Sequence, residues 1–344
     1  MSSADVTVFG AGIFGLSVAW ACQSRGARVR VIDPCGVAAG ASGGIVGALA
    51  PHTPEQWNEK KQFQLESLLM AEAFWREVAE VSGMGPGYLR SGRVQPIADG
   101  AALALAERRA ETAVEFWGDA AQWRIAEASD GWCPTSPTGK VVIDTLSARL
   151  HPKQACLSLA WAIETRGGEI LRKGVARGAV VWATGYQGLE QMTALHTRQV
   201  GNGVKGQAIL LNVDMRGAPQ LYADGLHIVP HGDGTVAVGS TSERYFEAPA
   251  STDAQLDDIR ARAIAHVPLL AGAEVIGRWA GVRPRARTRA PMLGAHPFEK
   301  GAFVANGGFK IGFGVAPKVG EVMAELVLDG MDRIPEPFRA ERSL

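Results

Sequence analysis

One strand–helix–strand unit near the N-terminus constrains this chain more than any other feature. An apolar run at 6–9 leads into Gly10-Ala11-Gly12-Ile13-Phe14-Gly15, and a helical pattern follows to about residue 24. A second apolar run at 28–32 ends on Asp33. This is the order of strand, G-x-G-x-x-G turn, helix, strand and acid that is typical of dinucleotide-binding units. The alternative is an ordinary glycine-rich turn.

Each part of this unit has a physical role in binding a dinucleotide. Gly10 allows the tight turn out of the strand, Gly12 lets a pyrophosphate approach the backbone, and Gly15 lets the helix pack close to the sheet. The helix N-terminus offers free N–H groups and partial positive charge to phosphates. Asp33 can accept hydrogen bonds from ribose hydroxyls, and its charge argues against the 2′-phosphate of NADP.

The composition excludes several other classes. The chain has 344 residues, of which 47% are hydrophobic, and its 35 basic and 35 acidic residues give no net charge. Neither a nucleic-acid partner nor integral membrane association is therefore expected. No charged leader precedes the first strand, and the four cysteines form no C-x-x-C pair, so we expect reduced thiols in a cytoplasmic protein. The seven histidines show no metal-ligand spacing, and no metal is expected.

Three further segments end in, or consist of, small residues. A glycine-rich loop covers 40–51, a buried strand at 180–182 ends in small residues, and a last strand at 302–305 opens into a second glycine-rich loop. Small residues let the backbone approach a ligand closely. The loop at 40–51 therefore offers Ala41, Ser42, Gly43, Gly47 and Ala48 as candidate contacts.

The pattern along the chain predicts an α/β fold with an insertion. Helical periodicity covers 54–81, 101–117, 152–166 and 251–266, and a final helix is predicted from Pro317 to Gly330. Short strands are predicted over 206–241, with a hairpin turn at Asp233-Gly234. We therefore expect a Rossmann-like dinucleotide domain (1–82, 150–200 and 295–344) with an inserted antiparallel-sheet substrate domain (83–149 and 201–294).

Taken together and in order, these segments resemble the D-amino-acid oxidase superfamily of FAD enzymes, especially its glycine oxidase and sarcosine oxidase branch. The resemblance is carried by VFGAGIFG, VIDP, ASGGIVGALAP, VVWATG, KGQAILL, HIVPHGDGTVAVGST, WAGVRP and NGGFKIGFGVAP. It implies FAD as the cofactor, and no cysteine stands where a covalent link to the ring would need one. The resemblance also implies that FAD is contacted by two later segments, namely Ala183, Thr184 and Gly185 after one strand and Gly307, Gly308, Phe309, Lys310 and Ile311 after the last. It also implies oxidation of a small amino acid or amine by hydride transfer from Cα to flavin N5. The resulting imine would hydrolyse to a 2-oxo acid and ammonia or amine.

The resemblance also assigns roles to three side chains. Arg283 in WAGVRP matches the arginine that binds the substrate carboxylate next to the flavin; the alternative is an exposed arginine before a proline. His227 stands where the family usually has an aromatic residue, and could donate to a carboxylate or be an ordinary hairpin histidine. Lys310 replaces a frequent arginine near the flavin or the carboxylate, and Gly308 replaces a frequent histidine.

Two departures from the family pattern affect the prediction. Arg285, Arg287 and Arg289 alternate after Arg283 and would share one face of an extended segment, which favours a substrate with a second anionic group. The alternative is that Arg287 or Arg289 contacts the FAD pyrophosphate or solvent.

Only a few residues join 170 to 180, where the family has a small β-meander beside FAD. The shortened connection would leave FAD exposed or covered by a partner.

Three other functions remain open at this point. The arginine run keeps a flavin-dependent hydroxy-acid or alcohol-phosphate dehydrogenase in consideration. The missing meander keeps an FAD-binding subunit of a heteromeric amino-acid dehydrogenase in consideration, and an NAD-only dehydrogenase is the last alternative. The sequence decides neither the amino acid, nor oxygen against another electron acceptor, nor whether the chain forms a homo-oligomer.

Overall fold

The computed structural model describes residues 4–344, which form sixteen strands and seven α-helices in that range. The strands are β1 (Val6–Phe9), β2 (Val29–Ile32), β3 (Ala48–Leu49), β4 (Arg93–Pro96), β5 (Trp123–Glu127), β6 (Lys140–Asp144), β7 (Ala148–Arg149), β8 (Glu169–Leu171), β9 (Ala179–Trp182), β10 (Gly201–Asn212), β11 (Gln220–Ala223), β12 (Leu226–Pro230), β13 (Thr235–Gly239), β14 (Glu274–Ala286), β15 (Met292–Ala295) and β16 (Ala302–Asn306). The helices are α1 (Ile13–Ser24), α2 (Glu59–Ser82), α3 (Gly100–Trp117), α4 (Pro152–Thr165), α5 (Gly185–Ala194), α6 (Gln255–His266) and α7 (Gly312–Ala324).

The first layer is a six-stranded sheet with the strand order β15-β16-β9-β1-β2-β8. Strands β16, β9, β1, β2 and β8 run parallel, and β15 is antiparallel to β16. Val8, Val31 and Val181 are fully buried in its centre, as expected where a parallel sheet is covered by helices. Helices α1, α4 and α7 pack in the same core. The predicted α/β class with a Rossmann-like unit is confirmed.

The second sheet has eight strands in the order β14-β10-β13-β12-β11-β4-β6-β5. Its neighbours are antiparallel except for β11 and β4, and α6 packs on one side over a separate hydrophobic core. Strands β12 and β13 form the predicted hairpin around Asp233-Gly234. Strands β11, β12 and β13 are short, as predicted for 206–241, but β10 is longer than predicted because it begins at Gly201 and pairs with β14 as far as Asn212. The exact domain boundaries stay a prediction.

Two helices begin later than their apolar periodicity indicated. Helix α2 begins at Glu59 rather than at residue 54, because the Asn58 side chain accepts hydrogen bonds from the N–H groups of residues 60 and 61 at 3.1 and 3.3 Å. Helix α6 begins at Gln255 rather than at residue 251, and Asp253 Oδ1 accepts from the Gln255 N–H at 3.0 Å. A capping side chain therefore defines the start of α2, whereas Ala254, the N-cap residue of α6, makes no side-chain cap hydrogen bond.

The last helix begins at Gly312, so the prediction that Pro317 starts it was wrong. Its backbone ladder starts where Val315 N donates to Ile311 O at 3.1 Å, and Pro317 lies inside the helix. Proline has no N–H, so one carbonyl in this helix loses its usual donor. A π-helical turn over Glu325–Asp329 follows, and Gly330 then adopts a left-handed conformation with φ of 68°. The predicted end of the helix at Gly330 is confirmed.

No helix in the described part of the chain has the length and apolar character needed to cross a membrane. The four cysteines are free thiols, of which Cys22, Cys133 and Cys156 are buried and Cys35 is exposed.

The buried pair of Arg93 and Asp144 generates a stability prediction. Arg93 Nε donates to Asp144 Oδ2 at 2.9 Å, and the two side chains are 7% and 1% exposed. Asp144→Ala leaves the Arg93 charge buried and unpaired, so we expect a loss of about 3–5 kcal/mol in the free energy of unfolding. Denaturant unfolding monitored by circular dichroism measures this loss.

The same strand offers a matched control. Lys140 forms an ion pair with Glu127, whose side chain is largely exposed. Lys140→Ala is expected to cost less than about 1 kcal/mol, because exposed pairs contribute little. Equal losses in the two variants would contradict the assignment of the Arg93 pair as a buried structural charge pair.

Candidate active site

A single cavity of about 660 Å³ lies at the carboxyl ends of β1, β2, β9 and β16 and extends to β12 and β14 of the second sheet. This is the edge where open parallel sheets bind ligands. The cavity brings together most of the side chains that the sequence singled out. They are Gly10, Gly12, Ile13, Phe14, Asp33, Ala41, Ser42, Ala48, Ala183, Thr184, Gly185, His227, Arg283, Gly307, Gly308, Phe309 and Lys310.

Five candidate contacts do not line this cavity, namely Ala11, Gly15, Gly43, Gly47 and Ile311. A Cβ on Gly15, Gly43 or Gly47 would lie 1.9, 2.2 or 1.8 Å from a backbone carbonyl oxygen, so these positions allow close packing of the chain. Ile311 precedes α7 and packs against the core. These positions shape the loops around the cavity.

The first glycine turn brings two strand ends together. Gly10 has φ of 108°, and a Cβ there would lie 2.3 Å from Ala183 O at the end of β9. Across the turn, Ile13 N donates to Ser42 Oγ at 3.0 Å, so the loop at 40–51 closes over the N-terminus of α1. The first turn of α1 carries no acidic residue. An anion such as a pyrophosphate fits at this helix end.

The carboxylate of Asp33 is fixed by backbone donors. Its Oδ2 accepts from Ala11 N at 2.8 Å, and its Oδ1 accepts from Cys35 N at 2.9 Å and Gly36 N at 3.2 Å. Asp33 therefore connects the glycine turn to the end of β2 and lines the cavity beside it. Its predicted contact with ribose hydroxyls stays a prediction that this position supports.

The region of the missing meander is occupied by the short segment 172–178. It follows β8, an edge strand parallel to β2. Arg172 Nη1 donates to Pro34 O at 3.1 Å, and a Cβ on Gly36 would lie 2.5 Å from the Arg172 guanidinium carbon. The Arg172 side chain therefore covers the turn that follows Asp33.

The opposite end of the cavity is formed by the loop before α7. Phe309 N donates to Pro284 O at 3.0 Å, which joins this loop to β14. Asn306 Nδ2 donates to Gly185 O at 2.9 Å and ties the loop to the end of β9. Gly312 and Phe313 at the start of α7 also line the cavity. The positive end of the helix dipole therefore faces this region and favours negative charge there.

Arg283 lies at this end of the cavity, on β14. Its Nη2 donates to Ser240 Oγ at 2.5 Å and its Nη1 donates to Thr241 O at 3.4 Å. Burial lowers the pKa of Arg283 to about 10, and the nearby Glu243 charge opposes this shift. The guanidinium stays protonated at neutral pH. It has no carboxylate within ion-pair distance among the described residues.

Two glycines that face each other across β10 and β14 make room for Arg283 and Trp279. Gly206 pairs with Gly281 in the strand register. A Cβ on Gly206 would lie 2.0 Å from Arg283 Nη2, and a Cβ on Gly281 would lie 2.4 Å from the Trp279 ring. Both large side chains therefore lie flat over the strand pair and line the cavity.

His227 and Lys310 line the cavity with Arg283. Burial, together with the charges of Arg93 and Lys310, lowers the pKa of His227 to about 3, so its imidazole is neutral at neutral pH. Its Nδ1 is buried without a hydrogen-bond partner in the described chain. Partial burial and the Arg283 charge lower the pKa of Lys310, whose side chain remains exposed to the cavity.

The predicted row of arginines does not form. Strand β14 ends at Ala286, and Arg289 has φ of 58°, which breaks the extended alternation. Arg287 Nε donates to Ser343 O at 3.2 Å, away from the cavity lining. Arg285 Nε donates to Asn202 Oδ1 at 3.3 Å. Of these four arginines, Arg283 alone lines the cavity.

Several cavity residues were missed in the sequence. Phe9 and Trp182 stack with ring centroids 4.3 Å apart, and Tyr222 lies 4.8 Å from the His227 ring. Ser240 binds Arg283. Trp182 and Ser240 fall within the motifs VVWATG and HIVPHGDGTVAVGST. They could have been predicted if every residue of those motifs had been treated as a candidate cavity residue. Tyr222 lies opposite His227 in the β11–β12 pair, which requires the strand register.

Comparison with known proteins identifies the family. The FAD dependent oxidoreductase family, DAO, matches residues 5–326. The chain belongs to this family and is an FAD-dependent oxidoreductase of the glycine-oxidase-like branch. The cavity fits FAD by its own geometry, since the N-terminus of α1, the Asp33 carboxylate and the start of α7 are found along it. The NAD-only alternative was therefore wrong.

Individual relatives agree with this family. Glycine oxidase of Geobacillus kaustophilus (strain HTA426) is 25% identical over 361 aligned residues, which cover 94% of this chain and 92% of the relative. The crystal structure of glycine oxidase from Geobacillus kaustophilus superposes with a TM-score of 0.83 at 21% identity, covering 98% and 99% of the two chains. The crystal structure of iminodiacetate oxidase from Chelativorans sp. BNC1 superposes with a TM-score of 0.81 at 23% identity, covering 97% and 98%.

The positions of the cysteines predict that FAD is held without a covalent bond. Cys35 is the one cysteine in the cavity lining, and it lies next to Asp33, at the opposite end from Arg283. Acid precipitation of the purified holoenzyme should leave the yellow flavin in the supernatant. Colour that remains in the washed pellet would show a covalent link.

The contact of Gly206 with Arg283 generates a second prediction. Gly206→Ala should displace the guanidinium, so that carboxylate ligands bind at least about tenfold more weakly while FAD stays bound. Titration of the holoenzyme with acetate, followed by flavin absorbance, measures this. Gly277→Ala is the control, because its Cβ would meet only the Leu210 side chain at 3.3 Å on the same strand pair. An equal loss in both variants would contradict a local effect on Arg283.

Proposed function

We propose that this protein oxidises a small amino acid, or an amine that carries a carboxylate, with Arg283 as the carboxylate anchor. The observation that carries this proposal is a protonated guanidinium in the FAD cavity with no carboxylate partner in the described chain. The relatives named glycine oxidase and iminodiacetate oxidase support the same substrate class. Bound FAD supplies the hydride acceptor, and the protein supplies binding and orientation.

Arg283 would bind the substrate carboxylate through its planar fork of N–H donors. Such a fork matches a carboxylate in a two-bond pair and fixes its orientation as well as its position. A fixed carboxylate limits the directions in which the substrate Cα–H can point. Orientation of this kind supplies a large part of the rate in reactions that need little acid–base help.

The position of Arg283 depends on a polar network formed by side chains of β10 and of the segment 240–243. Gln207 is fully buried; its Nε2 donates to Glu243 Oε1 at 3.1 Å, and its backbone N donates to Thr241 Oγ1 at 2.8 Å. Lys205 is 4% exposed, with Nζ 3.5 Å from Glu243 Oε2. This network holds the segment 240–243, whose Ser240 hydroxyl and Thr241 carbonyl accept the Arg283 hydrogen bonds. We propose these residues as positioning residues.

No residue in the described part of the chain is a well-placed general base in the cavity. Asp33 is the one carboxylate in its lining and is bound by three backbone N–H groups at the end of β2. His227, with a pKa of about 3, is a weak base. An amine that binds in its neutral form needs no protein base, whereas removal of a hydroxyl proton from a hydroxy acid would. This difference favours an amine or amino acid over the hydroxy-acid alternative.

Replacement of Arg283 tests the proposed anchor. Arg283→Ala should weaken substrate binding by about 2–5 kcal/mol, because the carboxylate loses its charge-paired donors, while FAD remains bound. Steady-state kinetics with the accepted amino acid, and flavin content by absorbance, measure the two effects separately.

Arg278→Ala is the matched control, since Arg278 is exposed on the same strand and does not line the cavity. It should leave kcat/KM unchanged. An Arg283→Ala enzyme with the same KM as the wild type for every accepted acid would overturn the anchor assignment.

A further inference from the structure

The substrate end of the cavity carries more positive charge than a single carboxylate can balance. Among residues 4–344, three charged residues line the cavity, Asp33, Arg283 and Lys310. The Asp33 oxygens accept from the N–H groups of Ala11, Cys35 and Gly36 at the other end. Within residues 4–344, neither Arg283 nor Lys310 forms an ion pair, and the Lys310 ammonium lies 5.8 Å from the centroid of the Phe309 ring.

The two cations are close enough to influence each other. The charge of Arg283 lowers the pKa of Lys310, after the larger effect of partial burial. Lys310 in turn contributes to the low pKa of His227, whose Nδ1 is buried and has no partner in the described chain. A neutral imidazole can donate one hydrogen bond. Among the described residues, Lys310 is therefore a second cation beside Arg283 with no acid to neutralise it, and the neutral His227 imidazole lines the cavity with it.

Charge balance then constrains the substrate. A carboxylate bound by Arg283 brings one negative charge, which leaves the Lys310 charge uncompensated. The ring of oxidised FAD is uncharged, so it does not balance Lys310 while the substrate binds. A second anionic group on the substrate would do so.

We propose that Lys310, with His227, forms a subsite for a second anionic group, and that the substrate is an amino acid or amine with two anionic groups. This inference rests on the proposed function, because Arg283 must bind the first carboxylate. The sequence had attributed a preference for a second anionic group to Arg285, Arg287 and Arg289, but these arginines do not line the cavity. Lys310 takes over this role in the present proposal. The remaining interpretation is that Lys310 and Arg283 both bind the same carboxylate.

Binding of malonate and of monomethyl malonate to the holoenzyme separates these interpretations. The two ligands have nearly the same size and differ by one negative charge. Flavin absorbance reports binding without turnover, at low salt and at a pH where both carboxyl groups of malonate are ionised. Malonate has two equivalent carboxylates, so a statistical factor of about two is expected from Arg283 alone. A working second subsite should add about five- to tenfold to this factor.

Variants at Lys310 and Arg285 complete the test. Lys310→Met should reduce the malonate advantage to the statistical factor, whereas Lys310→Arg should retain it. Arg285→Gln is the control for a nearby cation outside the cavity lining and should retain it as well. Added salt should shrink the wild-type advantage, because an exposed charge is screened.

Three results would overturn the inference while the proposed function stands. They are equal affinities of the two ligands in the wild type, an advantage that survives in Lys310→Met, and an equal loss for both ligands in Lys310→Met. The last result would mean that Lys310 serves the first carboxylate. A wild-type holoenzyme that binds neither ligand would instead contradict the Arg283 anchor itself.

Discussion

The site depends on the missing side chain at Gly206. A Cβ at that position would lie 2.0 Å from Arg283 Nη2, so the guanidinium lies over the backbone of β10 only because residue 206 is glycine. This close approach removes the charge from water, which lowers the pKa of Arg283 to about 10. A charge that is partly desolvated and has no ion-pair partner is costly, and a bound anion relieves that cost. The strand pair thus creates a site that favours a carboxylate.

Both sheets contribute residues to the cavity. The close contact of Gly10 with Ala183 brings β1 and β9 of the parallel sheet together, and the Asp33 carboxylate is oriented by the same turn. Arg283 and His227 come from the antiparallel sheet. The hydrogen bond from Phe309 N to Pro284 O connects the two parts directly. The segment 307–311 therefore connects the start of α7 to the strand that carries Arg283, the proposed carboxylate anchor.

The sequence was most informative where a function depends on local spacing. The turn from Gly10 to Gly15 and the acid at Asp33 follow from a short motif with defined strand and helix context, and the structure places Gly10 and Asp33 at the cavity as that motif requires. The start of α7 was missed because Pro317 usually begins helices, whereas here the ladder starts from Ile311 O. Proline is normally disfavoured inside a helix, and this helix nevertheless accommodates Pro317.

The substrate end was harder to predict because it depends on register between distant segments. The pairing of Gly206 with Gly281, and the position of Tyr222 opposite His227, follow only once β10, β11, β12 and β14 are aligned. The prediction that four arginines share one face failed for a similar reason. It assumed that a single strand continues through 283–289, whereas β14 ends at Ala286. The alternation of residues along the sequence does not show where a strand ends.

The central claim is that this FAD enzyme oxidises amino acids or amines held by a carboxylate. Anaerobic mixing of the holoenzyme with a panel of amino acids, their decarboxylated amines and the matching hydroxy acids tests it most directly. We predict bleaching of the flavin absorbance by at least one amino acid or carboxylate-bearing amine, and no bleaching by its decarboxylated amine or hydroxy-acid analogue. Equal bleaching by the decarboxylated amine, or bleaching by the hydroxy acids alone, would contradict the account.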